Sequence, residues 1–268
     1  MVGDLKELIA GNEAAMELDE AALNLATVEF PHLDFRPSLV ELDRFANDIA
    51  DRCADLSDGR EFVRVTNNYL FQEIGLRGNA EDYYNPHNSC LNEVLQGRLG
   101  IPITLSVIYM EIGRRLAKHV VGIGLPRHFI IQYDDGDYST YIDPFHSGAI
   151  LSPDDCYRLA QAEEENPRLL APVCKRQVLM RMINNLRGIY FSERTFEKAQ
   201  ELLDLLIEAN PNSAEEYKQR GLVRLQMRQL LAGKKDLQKY LTLNPTAEDK
   251  DEIQQQLHAV GKWLAALN

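Results

Sequence analysis

Cysteine is scarce in this chain and carries no pattern. Cys53, Cys90, Cys156 and Cys174 are its four cysteines among 268 residues. None is spaced as CxxC, so the sequence offers neither a zinc knuckle nor a dense disulfide framework. Positive charge is also in deficit. Lys and Arg number 29 against 41 Asp and Glu, a formal net charge of −12. That balance repels phosphate backbones and argues against a nucleic-acid-binding surface. No apolar run approaches the ~18 residues of a membrane span. The acidic, amphipathic start MVGDLKELIAGNEAAMELDEAAL is not a signal peptide. Together these absences lead to the expectation of a cytoplasmic protein with reduced thiols and no nucleic-acid or membrane partner.

Hydrophobic residues make up 45% and charged residues 26%, the balance of an ordinary globular chain. Leu125 to Phe145, LPRHFIIQYDDGDYSTYIDPF, is its densest β signal. Val, Ile, Tyr, Phe and Thr dominate two arms around Asp135-Gly136. Asp-Gly is a preferred two-residue loop for a type I′ hairpin. With that loop His128 stands directly opposite Asp143 on one face, Cβ atoms roughly 5 Å apart. An imidazole facing a carboxylate is the orienting half of a nucleophile–base–acid triad. On residue types alone the plainer reading is an exposed cross-strand ion pair.

Elsewhere the first part of the chain reads as helix. The spacing predicts one helix from residue 4 to about 28, a second from Pro37 through Leu56, and a third over EFVRVTNNYLFQEIG with Gly75 as its C-cap. The loop LRGNAEDYYNPHNSC follows, with Tyr83 and Tyr84 as candidates to line a cleft. Asn88 or Ser89 is placed to cap the next helix. Cys90 then falls in its first turn, where positive potential favours thiolate. GIPITLSVIYMEIGRRL is apolar nearly all round and predicts a buried central helix. Thr104 and Ser106 bring hydroxyls to its start, suited to a helix end or an i−4 carbonyl. Ser152 and Pro153 open another helix. NPRLLAPV, with two prolines, reads as a linker and divides the chain into domains at 1–172 and 173–268.

Beyond it only helices are indicated. Asn210-Pro211 recurs as Asn244-Pro245, 34 residues on (244 less 210). That is the tetratricopeptide period. It predicts helix pairs near 175–209 and 213–243, then a lone helix from Glu248 to Leu267.

A buried helix followed by strands carrying RHF, with His128, and IDPF, with Asp143, resembles the transglutaminase-like superfamily. The whole chain is similar to the bacterial SirB-type family, in which such a domain precedes tetratricopeptide repeats. The shared pattern is carried by Asn88, Ser89, Leu91, Val94, Leu95, Arg98, Gly100, Ile101, Pro102 and Leu105. The resemblance implies an α+β fold: a mostly helical, cysteine-protease-like domain with a small antiparallel sheet, followed by an all-α repeat domain. In active members the resemblance implies a cysteine at the start of the buried helix. Here that start, Ile101 to Thr104, holds none, and Cys90 belongs to the preceding helix.

Three readings of the site follow. In one, Cys90 attacks an amide or ester carbonyl, His128 shuttles the proton and Asp143 orients the imidazole, as in a hydrolase or acyltransferase. In another, the domain has lost its nucleophile and binds a protein or peptide, with Asn88, Ser89, Tyr84 and Thr104 as binding residues. In the third, His87, Cys90, His128, His146 and Asp143 gather a metal, although only His87-x-x-Cys90 has ligand spacing. The expectation carried forward is the second: a protein- or peptide-binding module with no cofactor and no metal. The sequence is silent on oligomeric state.

Overall fold

A computed structural model describes residues 11–162 and 164–266, together with Leu5, Glu7 and Ile9. Its contacts form two compact units that divide between Asn185 and Leu186.

In the first unit, helices α1 (Leu18–Ala26), α2 (Arg36–Arg52) and α3 (Gly59–Asn67) come first. The single opening helix expected from spacing is interrupted. A 3-10 turn spans Glu13–Ala15 and α1 begins only at Leu18. Asp58 caps α3 by accepting from the amides of Arg60 and Glu61. A π-helical stretch, Asn68–Glu73, continues α3, and Gly75 ends it at φ +79°. Short strand β1 (Arg77–Gly78) pairs in parallel with β2 (Leu99–Gly100), bracketing α4 (Leu91–Gly97).

Helix α5 (Pro102–Arg115) is the centre of this unit. Every residue from Pro102 to Tyr109 is buried, as are Glu111, Ile112 and Gly113. It packs against α1, α2 and strands β3 and β4. Each buried aliphatic side chain there contributes about 1.5–3 kcal/mol. Glu111 meets buried Asp19 of α1 through a shared arginine. Arg115 reaches Asp19 at 2.6 Å, Asp43 at 2.7 Å and Glu111 at 2.9 Å. Burial pushes the Glu111 carboxyl upward. Burial also raises Asp19, but the Arg115 hydrogen bond and charge outweigh it and hold that carboxyl low. Arg114 reaches Glu111 at 2.7 Å and Asp19 at 3.4 Å as well; without the two arginines the buried carboxylates would face each other.

The sheet comprises β3 (Val120–Ile123), β4 (Ile130–Asp134), β5 (Ser139–Asp143), β6 (Ala149–Leu151) and β7 (Pro172–Val173), in the order β6-β5-β4-β3-β7. All its pairings are antiparallel. The β4–β5 register differs from the expected one. Asp134 pairs with Ser139 and Ile131 with Ile142, so the two-residue loop is Gly136-Asp137, one position later than Asp135-Gly136. Gly136 takes φ +90° while Asp137 stays at negative φ, the signature of a type II′ turn. The Asp135 carboxylate fixes it by accepting from the amides of Asp137 (3.1 Å) and Tyr138 (2.8 Å). His128 therefore precedes β4, in the turn after β3, rather than standing in the ladder.

Ser152 caps α6 (Pro153–Leu159) in a reciprocal capping box with Asp155. The two-proline stretch forms a 3-10 turn, Pro167–Leu170, and then β7 on the sheet edge, where proline's missing donor does no harm. Helix α7 (Lys175–Glu193) spans the division between the units.

In the second unit α8 (Phe196–Ala209), α9 (Ala214–Gln226), α10 (Leu230–Leu243) and α11 (Lys250–Ala266) follow the predicted period. Gly221 brings α9 close to α10: a Cβ there would lie 2.9 Å from Leu237. Leu237, Tyr240 and Ile253 form the buried cluster of α10 and α11. Among the described residues no helix is long and apolar enough to cross a membrane.

Candidate functional site

Asp143 ends β5 and is 1% exposed. Its Oδ1 accepts from the amides of Phe145 (3.0 Å) and His146 (3.3 Å), closing the turn after the strand. Its Oδ2 lies 2.8 Å from His128 Nε2 and 2.7 Å from His146 Nδ1. An ionised carboxylate only accepts, so both imidazoles carry their proton on the nitrogen that faces it. In the neutral form of each ring the other nitrogen, Nδ1 of His128 and Nε2 of His146, is an acceptor. Burial alone would raise the Asp143 pKa. The hydrogen bond and charge of His128, followed by those of His146, outweigh it and hold this carboxyl below the usual range.

His128 is positioned from behind. Its amide donates to the Leu125 carbonyl at 3.3 Å. Arg181 of α7 donates through Nη2 to the carbonyls of Leu125 (2.7 Å) and His128 (2.6 Å). Arg127, in the same turn, takes φ +58°.

His128 and His146 open on a cleft of about 730 Å³. One wall is aromatic: Tyr83 meets Tyr84 at 5.3 Å and Phe145 at 5.9 Å between ring centroids. Another is the start of α5, Pro102 and Ile103; Arg127 and Arg181 complete the charged lining. Burial pushes the Tyr83 hydroxyl upward.

The residues singled out from sequence are distributed as follows. Tyr84 is 72% exposed and lines the cleft. Asn88 does not cap a helix. Its Nδ2 donates to the carbonyls of Asp82 (2.7 Å) and Tyr83 (3.2 Å), and its Oδ1 accepts from Asn79 at 3.0 Å. It thus ties down the tyrosine loop. Ser89 and Thr104 are buried outside the lining, and neither hydroxyl has a hydrogen-bond partner among the described residues. Ser106 bonds the Pro102 carbonyl at 2.8 Å, the i−4 role expected of it. Cys90 is the N-cap of α4, one position before the first turn expected. It is 0% exposed, its Sγ lies 3.5 Å from the Pro86 carbonyl, and it does not line the cleft.

A cation would find one ligand atom each on His128, Asp143 and His146, all within 4.8 Å of one another. His87 lies apart from this trio, against Glu93 at 3.4 Å and Phe30 at 5.4 Å. Glu17, Asp19 and Glu111 form a second such group, neutralised by Arg114 and Arg115. Sequence reasoning gave His146 only a metal role and passed over Phe145, Arg127 and Arg181. The signal for the first two was local: DPFH returns a ring and an imidazole to the Asp143 turn. Nothing in the sequence marks Arg181.

Residues 37–184 match the model of the transglutaminase-like superfamily, and residues 186–258 match a tetratricopeptide repeat. A Xylella fastidiosa protein named UPF0162 protein is 30% identical over 250 residues, covering 90% of this chain and 89% of its own. The UPF0162 protein of Vibrio cholerae is 24% identical over 252 residues, covering 92% and 93%. Human F-box only protein 21 is 30% identical over 167 residues, 58% of this chain and 26% of its own length. No solved structure matches the chain. On the match of residues 37–184, and on near full-length similarity to the UPF0162 proteins, the chain belongs to the transglutaminase-like superfamily, in the SirB-type arrangement with tetratricopeptide repeats.

Proposed function

We propose that the first unit is a binding module that receives a protein or peptide segment in the cleft beside His128, and that it no longer carries the nucleophile of active superfamily members. One observation carries this reading. The start of α5, where the family resemblance implies a cysteine in active members, supplies Pro102 and Ile103 to the cleft wall. Those side chains offer van der Waals surface and no nucleophile. The aromatic wall of Tyr83, Tyr84 and Phe145 supports the same reading, because rigid aromatics supply contact area at low entropic cost. The tetratricopeptide repeats favour a protein as the partner. The four free thiols suit a reducing compartment and support a cytoplasmic location.

A second reading rests on His128 Nδ1, which has no hydrogen-bond partner among the described residues and is free to act as a base. Under it Cys90 attacks an amide carbonyl, His128 passes the thiol proton to the leaving amine, and water releases the acid.

The test is the full-length chain on an array of short random peptides. The binding reading expects retained peptides, roughly tenfold weaker retention for Tyr84→Ala, and unchanged retention for Cys90→Ser. Peptide cleavage or amine release that disappears in Cys90→Ser would contradict it.

A further inference from the structure

The chain has a formal net charge of −12, yet among the described residues no aspartate or glutamate lines the cleft beside His128. The ionisable nitrogen groups there are Arg127, Arg181, His128 and His146. Asp143 stands behind the two imidazoles, committed to them and to two amides. Arg181 is half-buried and makes no ion pair among the described residues. Its Nη2 serves two backbone carbonyls. Nε and Nη1 have no protein acceptor among the described residues. Burial pushes this guanidinium below its usual pKa, and only a coulombic contribution from Tyr83 opposes it. Such a group is stabilised by an anion arriving from outside. Arg127 is exposed, and its side chain makes no hydrogen bond or ion pair among the described residues. The same two guanidiniums work against a cation at His128, Asp143 and His146.

We propose that the cleft takes a carboxylate-bearing peptide segment, with Arg181 and Arg127 anchoring the carboxylate and Tyr83, Tyr84 and Phe145 packing on the flanking residues. This rests on the peptide-binding reading above and adds the chemistry of what is bound. Guanidinium–carboxylate hydrogen bonds are the charge-assisted kind, about twice as strong as neutral ones. A positive cleft in an acidic protein also focuses its field on the incoming anion and repels other acidic surfaces from the rest of the chain. The carboxylate comes from a chain terminus or from an acidic side chain.

Three short fluorescent peptides with the same alanine–tyrosine body separate those sources. One has a free C-terminus, one is amidated with a central glutamate, and one is amidated and neutral. Affinity for the full-length chain is read by anisotropy. The expected result is about tenfold tighter binding, or more, for at least one carboxylate peptide than for the neutral one. That preference shrinks in Arg181→Gln and in Arg127→Gln, and falls with added salt. Arg127→Gln guards against a folding artefact, since Arg181 also supports the 125–128 turn. In parallel, sodium acetate alone is titrated while the His128 and His146 ring resonances are followed. Wild type is expected to shift, and Arg181→Gln to shift less. Equal affinity for all three peptides, or a preference that survives both variants, overturns the proposal. If no peptide binds but acetate still shifts the rings in an Arg181-dependent way, the anion site stands and the peptide reading falls. If acetate shifts nothing and no carboxylate preference appears, the proposal is wrong.

Discussion

Asp143 Oδ2 accepts from two imidazoles at once, His128 Nε2 at 2.8 Å and His146 Nδ1 at 2.7 Å. The same carboxylate holds two backbone amides through Oδ1. Asp143→Ala strands all four donors around a side chain that is 1% exposed. The expected cost is about 3 kcal/mol or more. Asp143→Asn keeps an acceptor for part of the set and costs less, about 1–2 kcal/mol. Hydrogen exchange of the β4 and β5 amides measures both. Protection within ~0.5 kcal/mol of wild type in the alanine variant would show that this network does not hold the hairpin end.

Glu41 makes the first unit sensitive to acid. Arg44 hydrogen-bonds it through both oxygens, and Arg98 adds a 2.6 Å contact. Chiefly through Arg44, its pKa falls from 4.5 to about 2. A depressed carboxylate pKa contributes stability that is fully present above the unfolded value. That stability is lost as pH drops from 4.5 towards about 2. Glu41→Gln is expected to flatten this part of the stability–pH curve. Urea midpoints for wild type and variant across that window are the measurement, and parallel curves would refute the linkage.

In the second unit Asp236 is 3% exposed and receives Arg220 twice at 2.8 Å and Arg224 at 2.7 Å. Asp204 reaches the same Arg220 at 2.6 Å but is more open to solvent. Asp236→Ala leaves two part-buried guanidiniums short of an acceptor and is expected to cost about 3 kcal/mol. Asp204→Ala is expected to cost about 1 kcal/mol or less. Thermal melts followed by circular dichroism rank the pair. Equal losses would mean that burial does not set the value of these contacts.

Much of the fold was legible because it is written in periods. The α5 stretch is apolar nearly all round up to Glu111, the pattern of a central helix. The recurrence of Asn-Pro set the helix pairs of the second unit. The hairpin illustrates the limit. Asp135-Gly136 and Gly136-Asp137 are both good two-residue loops, and choosing between them moves every cross-strand partner. The Asp135 side chain, bonding two amides beyond it, decides for the second. His128 still meets Asp143, but from the turn ahead of β4. The cleft was less legible because long-range placement builds it. Arg181 reaches the 125–128 turn from α7, and no local pattern announces that. Asn88 looks like a helix cap by residue type, yet its side chain serves the tyrosine loop.

The most direct test of a module without a nucleophile is the rate of iodoacetamide labelling at Cys90, in wild type and in His128→Ala. Thiolate is the reacting species, and access limits a buried thiol. Cys90 is 0% exposed, whereas exposed Cys174 serves as an internal control for labelling. The predicted result is rapid modification of Cys174 and slow modification of Cys90 that rises only as the unit opens, unchanged by His128→Ala. Fast labelling of Cys90 persisting below about pH 7 and slowed by His128→Ala would contradict the account and restore Cys90 as the partner of the His128–Asp143 pair.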